Sequence, residues 1–138
     1  MNPLPHHNLT GGCQCGATRY RVQGTLIDAS ICHCSMCRKA SGAPLTAWAT
    51  YPRQAFAYTH GKPAIFRSSD LAEREFCPHC GAQLAFRFSA APDDLDVSIS
   101  TLDDPDAVQP QFHIWVKNKV PWLVIGDDLP QYEESEPG

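Results

Sequence analysis

No apolar run in this chain approaches the roughly 20 residues that a membrane-spanning helix needs. Its opening residues, MNPLPHHNLT, contain no apolar stretch of the secretory type. Secretion and membrane insertion are therefore not expected, and a cytoplasmic location is. A dense basic stripe is also missing and the net charge is -4, so nucleic acid is a disfavoured partner. Long helices are excluded by a different scarcity, that of uninterrupted sequence. Twelve prolines and nine glycines cut 138 residues into short pieces, which favours strands joined by turns. An even cysteine count is the absence that matters most. Seven cysteines cannot all pair, and without a secretory segment a disulfide framework is disfavoured.

Those seven cysteines form three tight clusters: Cys13-Gln-Cys15, Cys32-His-Cys34-Ser-Met-Cys37 and Cys77-Pro-His-Cys80. Such spacings belong to metal ligands. A CxC joined to a CxxC supplies four thiolates, a closed tetrahedral set, whereas CxCxxC supplies three and leaves a fourth position open. In zinc proteins the closed kind is structural, and the open kind is where chemistry or ligand binding takes place. Alternate residues of an extended segment point the same way, which lets Cys13 and Cys15 converge on one ion. Zn–S bonds of about 2.3 Å then hold sulfurs roughly 3.8 Å apart. Cys77 to Cys80, followed by Gly81, reads as a compact knuckle whose turn aims backbone N–H groups at the sulfurs. Spacing alone leaves a second partition open, with Cys13, Cys15, Cys32 and Cys34 closed and Cys37, Cys77 and Cys80 left over. Keeping the contiguous CxCxxC on one ion is sterically simpler.

The length suits one domain with a real core, expected over residues 1–126, with 127–138 as an acidic, flexible tail carrying five acids and no bases. Residues 1–8 are also expected to be loose, which makes His6 and His7 poor ligand candidates. Between Arg19 and Arg87 the charge is +5, and over the rest it is -9. The CxCxxC thus lies in a basic block that would favour an acidic small molecule, unless those cations only alternate outward along strands. Strands are expected at 18–22, 45–51 with Trp48 in the core, 64–67, 73–76, 83–88 with Leu84, Phe86 and Phe88 on one face, 95–99 and 112–117. One short helix, Ser35 to Ser41, follows the second cysteine cluster and is closed by Gly42.

In this order the chain resembles the glutathione-dependent formaldehyde-activating enzyme family. The resemblance rests on Gly11-Gly12-Cys13-Gln-Cys15-Gly16, Cys32-His-Cys34-Ser-Met-Cys37-Arg38-Lys39-Ala-Ser-Gly42 and Phe66-Arg67-Ser68-Ser69. Arg74-Glu-Phe76-Cys77-Pro-His-Cys80-Gly81, His113-Ile-Trp115 and Pro121-Trp122 continue it. It covers residues 9–125. It implies a mainly β, zinc-stapled β-tent architecture with two zinc ions per chain. Cys13, Cys15, Cys77 and Cys80 would hold the structural ion, and Cys32, Cys34 and Cys37 the second, where they would also serve catalysis. The named reaction joins glutathione and formaldehyde into S-hydroxymethylglutathione, a carbon–sulfur lyase-type activity.

Three thiolates bring a zinc site to a formal charge of -1, which makes it a weaker Lewis acid than a histidine site but still one that favours a thiol as thiolate. The expected partner is a small-molecule thiol of the glutathione kind, and the expected reaction is its addition to a small aldehyde. Arg38 and Lys39 follow the third ligand and are candidates for offsetting its charge or meeting a substrate carboxylate; Ser41 and Gly42 offer further donors. His33 and His79 are not expected to bind metal. His113 is a candidate hydrogen-bond partner or general acid, with a plain structural role as the alternative. Trp115 and Trp122 are expected to pack in the core or a pocket wall. Two other functions compete: a non-catalytic module that binds a thiol or a protein partner, and a protein in which both zincs are structural, with His113 or another side chain capping the second.

Overall fold

The computed structural model describes residues 4–135 and is mainly β, with one α-helix after the second cysteine cluster. In chain order the elements are β1 (His6–Gly12), β2 (Arg19–Thr25), β3 (Asp28–Cys32), α1 (Ser35–Ser41) and β4 (Thr46–Pro52). There follow β5 (Phe56–His60), β6 (Ala64–Ser69), β7 (Ala72–Phe76), β8 (Gln83–Phe88), β9 (Asp94–Ser98) and β10 (Phe112–Ile114). Helix α1 ends as expected at Gly42, whose φ of 70° only glycine adopts cheaply.

Two sheets form. One has three strands in the order β1-β2-β5, and the other has seven in the order β10-β3-β4-β9-β8-β7-β6. Strand alternation divides the larger sheet cleanly. Ala29, Ala49, Tyr51, Ala85, Leu95 and Val97 join Tyr20, Val22 and Phe56 of the smaller sheet in the main core. The opposite face carries Ser30, Cys32, Trp48, Thr50, Asp96, Ser98, Phe86 and Arg74, which the register places side by side across β3, β4, β9, β8 and β7. One face of this sheet makes the core, and the other carries the polar and thiol groups.

Several expectations change. Residues 6–12 are strand β1, paired along its whole length with β2, and His7 Nδ1 bonds the Tyr51 hydroxyl at 2.7 Å. The alternation that reveals a half-buried strand is hidden here by two histidines. Leu84 does not share a face with Phe86. Phe76 pairs with Gln83 but Glu75 with Ala85, so Leu84 is an inserted bulge residue and is turned into the core beside Ala85. The run expected as strand to 117 stops at Ile114, because Trp115 takes a left-handed φ of 57° and a 3₁₀ turn follows over Val116–Asn118.

The acidic C-terminal segment is docked rather than free as far as residue 134. Trp115, Val116 and Lys117 donate backbone N–H groups to the carbonyls of Glu134, Tyr132 and Glu133, and the Tyr132 ring meets Phe112 edge-on. Five acids made this stretch read as solvated, but its backbone is what binds. Residues 1–3 and 136–138 lie outside the described part of the chain.

Candidate functional site

The four-cysteine set joins the two sheets. Cys13 follows β1 and Cys77 follows β7, so the set ties the smaller sheet to the larger one next to its edge strand β6. Each pair sits in a turn of the same design. Cys13 N–H donates to Thr18 O and Cys77 N–H to Ala82 O, both at 3.0 Å. Each turn passes through a glycine with positive φ, Gly16 at 81° and Gly81 at 79°. Cys13 and Cys15 therefore converge through a tight turn, not through the extended geometry expected of CxC.

The sulfurs of Cys13 and Cys15 are 3.6 Å apart, and those of Cys15 and Cys77 3.8 Å. This matches the roughly 3.8 Å of a tetrahedral zinc-type thiolate site. Thr18 N–H reaches Cys13 Sγ at 3.3 Å and His79 N–H reaches Cys77 Sγ at 3.4 Å, so the turns do aim donors at sulfur. A hydrogen bond from the Thr18 side-chain hydroxyl, distinct from its N–H, leads the influences that pull the Cys77 thiol down to about 5. Together the four could hold one metal ion.

The second set is Cys32, Cys34 and Cys37, whose sulfurs lie within 4.8 Å of one another. Cys32 ends β3, and α1 then turns back over the sheet so that Cys37 lands 3.4 Å from it, sulfur to sulfur. Trp48 packs beneath, with Phe86, Ile114 and Trp115 around the rim. Among the described residues no fourth His, Cys, Asp or Glu ligand atom joins the three. The hydrogen bond from Cys32, with help from Arg74, holds the Cys37 thiol down at about 6 against its burial, while Cys32 is pushed far up. A set in which one sulfur readily becomes thiolate fits a metal ion bound from one side.

Cysteine spacing does not mark Arg74, yet its guanidinium reaches this cluster. Its side chain is buried on β7, its Nη2 donates to Cys37 Sγ at 3.6 Å, and Nη1 donates to Gln83 Oε1 at 3.0 Å. The guanidinium also lies over the Phe86 ring, 4.9 Å from its centre. Strand alternation held the signal, since Arg74 must share a face with Phe76 and Phe66, the apolar side of that hairpin. Lys39 points instead into a cavity of about 550 Å³ lined by Met36, Phe66, Phe76, Gln83 and Arg74. Arg38 is half-buried, with its Nε unpartnered among the described residues. Ser41 turns its hydroxyl back to Cys37 O at 2.9 Å, a helix-end bond rather than a substrate contact.

His33 is fully buried and is not part of the three-sulfur set. Its Nε2 meets His113 Nδ1 at 2.9 Å, and His113 Nε2 meets Asp127 Oδ2, also at 2.9 Å. Both ring nitrogens of His113 are thus engaged, which removes it as a cap for the three cysteines. Trp122, expected in a core or pocket wall, is 72% exposed, whereas Trp115 does pack against the cluster.

Residues 8–118 match the family of glutathione-dependent formaldehyde-activating enzymes. The chain belongs to that family. A Halomonas elongata protein provisionally named as a glutathione-dependent formaldehyde-activating enzyme is 28% identical over 127 residues, covering 85% of this chain and 80% of that one. An uncharacterized lyase of Schizosaccharomyces pombe is 32% identical over 87 residues, 57% of each chain. A Rhodobacter sphaeroides protein of known crystal structure matches this member of the family with a TM-score of 0.61 at 24% identity. That match covers 74% of this chain and 97% of the other, and it concerns the fold alone.

Proposed function

We propose that this chain is a zinc-dependent carbon–sulfur lyase-type enzyme that takes glutathione or a similar thiol at the three-cysteine set and makes or breaks its adduct with a small aldehyde, such as S-hydroxymethylglutathione. The observation that carries this reading is the pairing of a four-sulfur set with a three-sulfur set that no further His, Cys, Asp or Glu joins among the described residues. Cys13, Cys15, Cys77 and Cys80 would hold a structural zinc, and Cys32, Cys34 and Cys37 a second. When bound there, zinc supplies a positive charge that favours a neighbouring thiol as thiolate at neutral pH.

The chain's own residues do the rest. Arg74 offsets negative charge at Cys37 and stays put because Gln83 and Phe86 hold its guanidinium. Trp48, Phe86 and Trp115 keep water from the flank of the cluster. The neighbouring cavity offers Lys39 and Arg74 to carboxylates, with Met36, Phe66 and Phe76 against a carbon chain. Its volume of about 550 Å³ falls within the range of small-molecule sites. An acidic thiol of tripeptide size suits that lining.

Anaerobic cobalt-substituted protein titrated with glutathione tests the reading. We expect the charge-transfer and d–d bands of half the metal to shift, and the loaded protein to accelerate exchange between glutathione, formaldehyde and their adduct. A shift without turnover would make the protein a thiol-binding module, and two unmoved tetrahedral spectra would make both metals structural.

A further inference from the structure

On the other side of Phe86 the same sheet face holds a second cavity, of about 310 Å³, and a carboxyl that the cysteine spacing does not single out. Asp96 stands in the middle of β9, with Thr50 of β4 on one flank and Phe86 of β8 on the other. Asp28, Ser30, Thr50 and Ile114 line the cavity with it. Phe86 and Ile114 also pack against Cys32, Cys37 and Trp48, so the cavity and the three-cysteine set share a wall. Thr50 Oγ1 donates to Asp96 Oδ1 at 2.5 Å, which fixes the carboxyl and leaves Oδ2 without a protein partner among the described residues.

We propose that Asp96 is the general acid and base of the thiol–aldehyde reaction, giving a proton to the aldehyde oxygen during addition and removing it during breakdown. This rests on the reading of the chain as an enzyme of that reaction. In the addition direction a thiolate lone pair forms the C–S bond to the carbonyl carbon. The carbonyl π pair moves to oxygen, which takes the Asp96 proton and leaves a carboxylate. The proton released as the next thiol ionises restores the acid. In reverse, the Asp96 carboxylate takes the hydroxyl proton, the O–H pair re-forms the carbonyl, and the C–S pair returns to sulfur.

The surroundings suit both roles. Burial comes first in pushing the carboxyl up to about 7, and the negative charges of Asp28 on β3, Asp94 on its own strand and Cys37 on α1 add to it. The Thr50 hydrogen bond opposes them, and β8 presents only the Phe86 and Phe88 rings. A carboxyl that holds its proton near neutral pH is matched to general acid–base work.

The test uses full-length, zinc-loaded protein and the Asp96→Asn and Thr50→Val variants. Exchange between glutathione, formaldehyde and their adduct is followed by NMR across pH, with metal content and glutathione affinity measured alongside. We expect Asp96→Asn to slow exchange about 100-fold or more while keeping both metals and glutathione. Thr50→Val, which loses the bond favouring the carboxylate, should move the high-pH limb of the addition rate upward. The ¹³C carboxyl signal that is lost in Asp96→Asn should shift when the adduct is added to wild type. A variant that keeps its metals and exchanges within about threefold of wild type overturns the role of Asp96 and leaves the enzyme reading standing. A wild-type protein that accelerates no exchange overturns that reading, and the role of Asp96 with it. Should Asp96→Asn fail to fold, an unmoved pH limb in Thr50→Val and an unmoved ¹³C signal overturn the proposal.

Discussion

Arg74 stands with one nitrogen 3.6 Å from Cys37 Sγ and its guanidinium stacked 4.9 Å above the Phe86 ring. A hydrogen bond to a charged sulfur is worth about 1.5–3 kcal/mol, and partners of this kind change metal affinity about 10–100-fold. On the proposed zinc loading, Arg74→Gln should therefore weaken metal binding at the three-cysteine set by about that factor and leave the four-cysteine set unchanged. Chelator competition should turn from one slow release into two separated phases. Arg74→Lys should recover part of the loss, because a point charge replaces a planar fork. Identical release curves for wild type and Arg74→Gln would refute this account of the site.

The two cysteine sets should differ sharply in what their loss does to the fold. Cys77 joins Cys13, Cys15 and Cys80 in the clasp between the sheets, so on the proposed zinc loading Cys77→Ser would remove metal-binding free energy from folding directly. Its thermal midpoint should fall by tens of degrees, or the chain should fail to fold. Cys34→Ser acts where Trp48, Phe86 and Ile114 already make apolar contacts. Its midpoint should fall by only a few degrees, with glutathione binding lost. Equal destabilisation by both changes would favour two structural metals.

Much of this was legible in the sequence because ligand spacing is a local code. Spacing alone leaves two partitions of the seven cysteines open, and the structure groups their sulfurs in the sterically simpler one, while the helix ends at Gly42 as expected. What escaped depends on contacts distant in sequence. Asp96 sits 46 residues from Thr50, and His33 sits 80 from His113. Polar–apolar alternation in Leu95-Asp96-Val97-Ser98 shows that Asp96 faces away from the core, but not what it faces. Arg74 lies within a motif that gives it no role, because nothing in a strand's own sequence says which helix folds over it. The bulge at Leu84 was equally hidden, since one inserted residue flips a side chain without altering composition.

Asp96 also makes a prediction for stability that is independent of catalysis. Its folded-state value of about 7 lies above the roughly 3.9 of an unfolded aspartate. The folded state therefore holds the proton more tightly, and the resulting stabilisation is fully present below about pH 4 and is lost by the time pH has risen through about 7. Taken at face value the shift amounts to about 4 kcal/mol, and water entering the cavity reduces it to about 2 kcal/mol. Acid also loosens the thiolate–metal sets, so the informative quantity is the difference from Asp96→Asn, which cannot ionise. Denaturant unfolding should show wild type losing stability relative to the variant between about pH 4 and 7, and no further change above about pH 8. A difference that is flat across this range would place the carboxyl in an ordinary, solvated setting.

The chain from His33 through His113 to Asp127 ties the CxCxxC loop to the docked C-terminal segment. Its two ends are buried very differently: the His113 side chain is 3% exposed and that of Asp127 is 42% exposed. Replacing His113 with Ala leaves His33 Nε2 without its partner in the interior and opens a cavity beside it. Together these should cost about 2–4 kcal/mol. Asp127→Asn removes only the exposed end of the chain and should cost less than about 1 kcal/mol. Its effect should be local opening. The amides of His113, Trp115, Val116 and Lys117 donate to carbonyls of residues 130–134, and their hydrogen exchange should quicken about tenfold while amides between β3 and β4 keep their protection. Exchange that quickens equally everywhere would mean that this segment unfolds only with the whole protein. In that case residues 127–134 are an integral part of the domain rather than a separable strap across it.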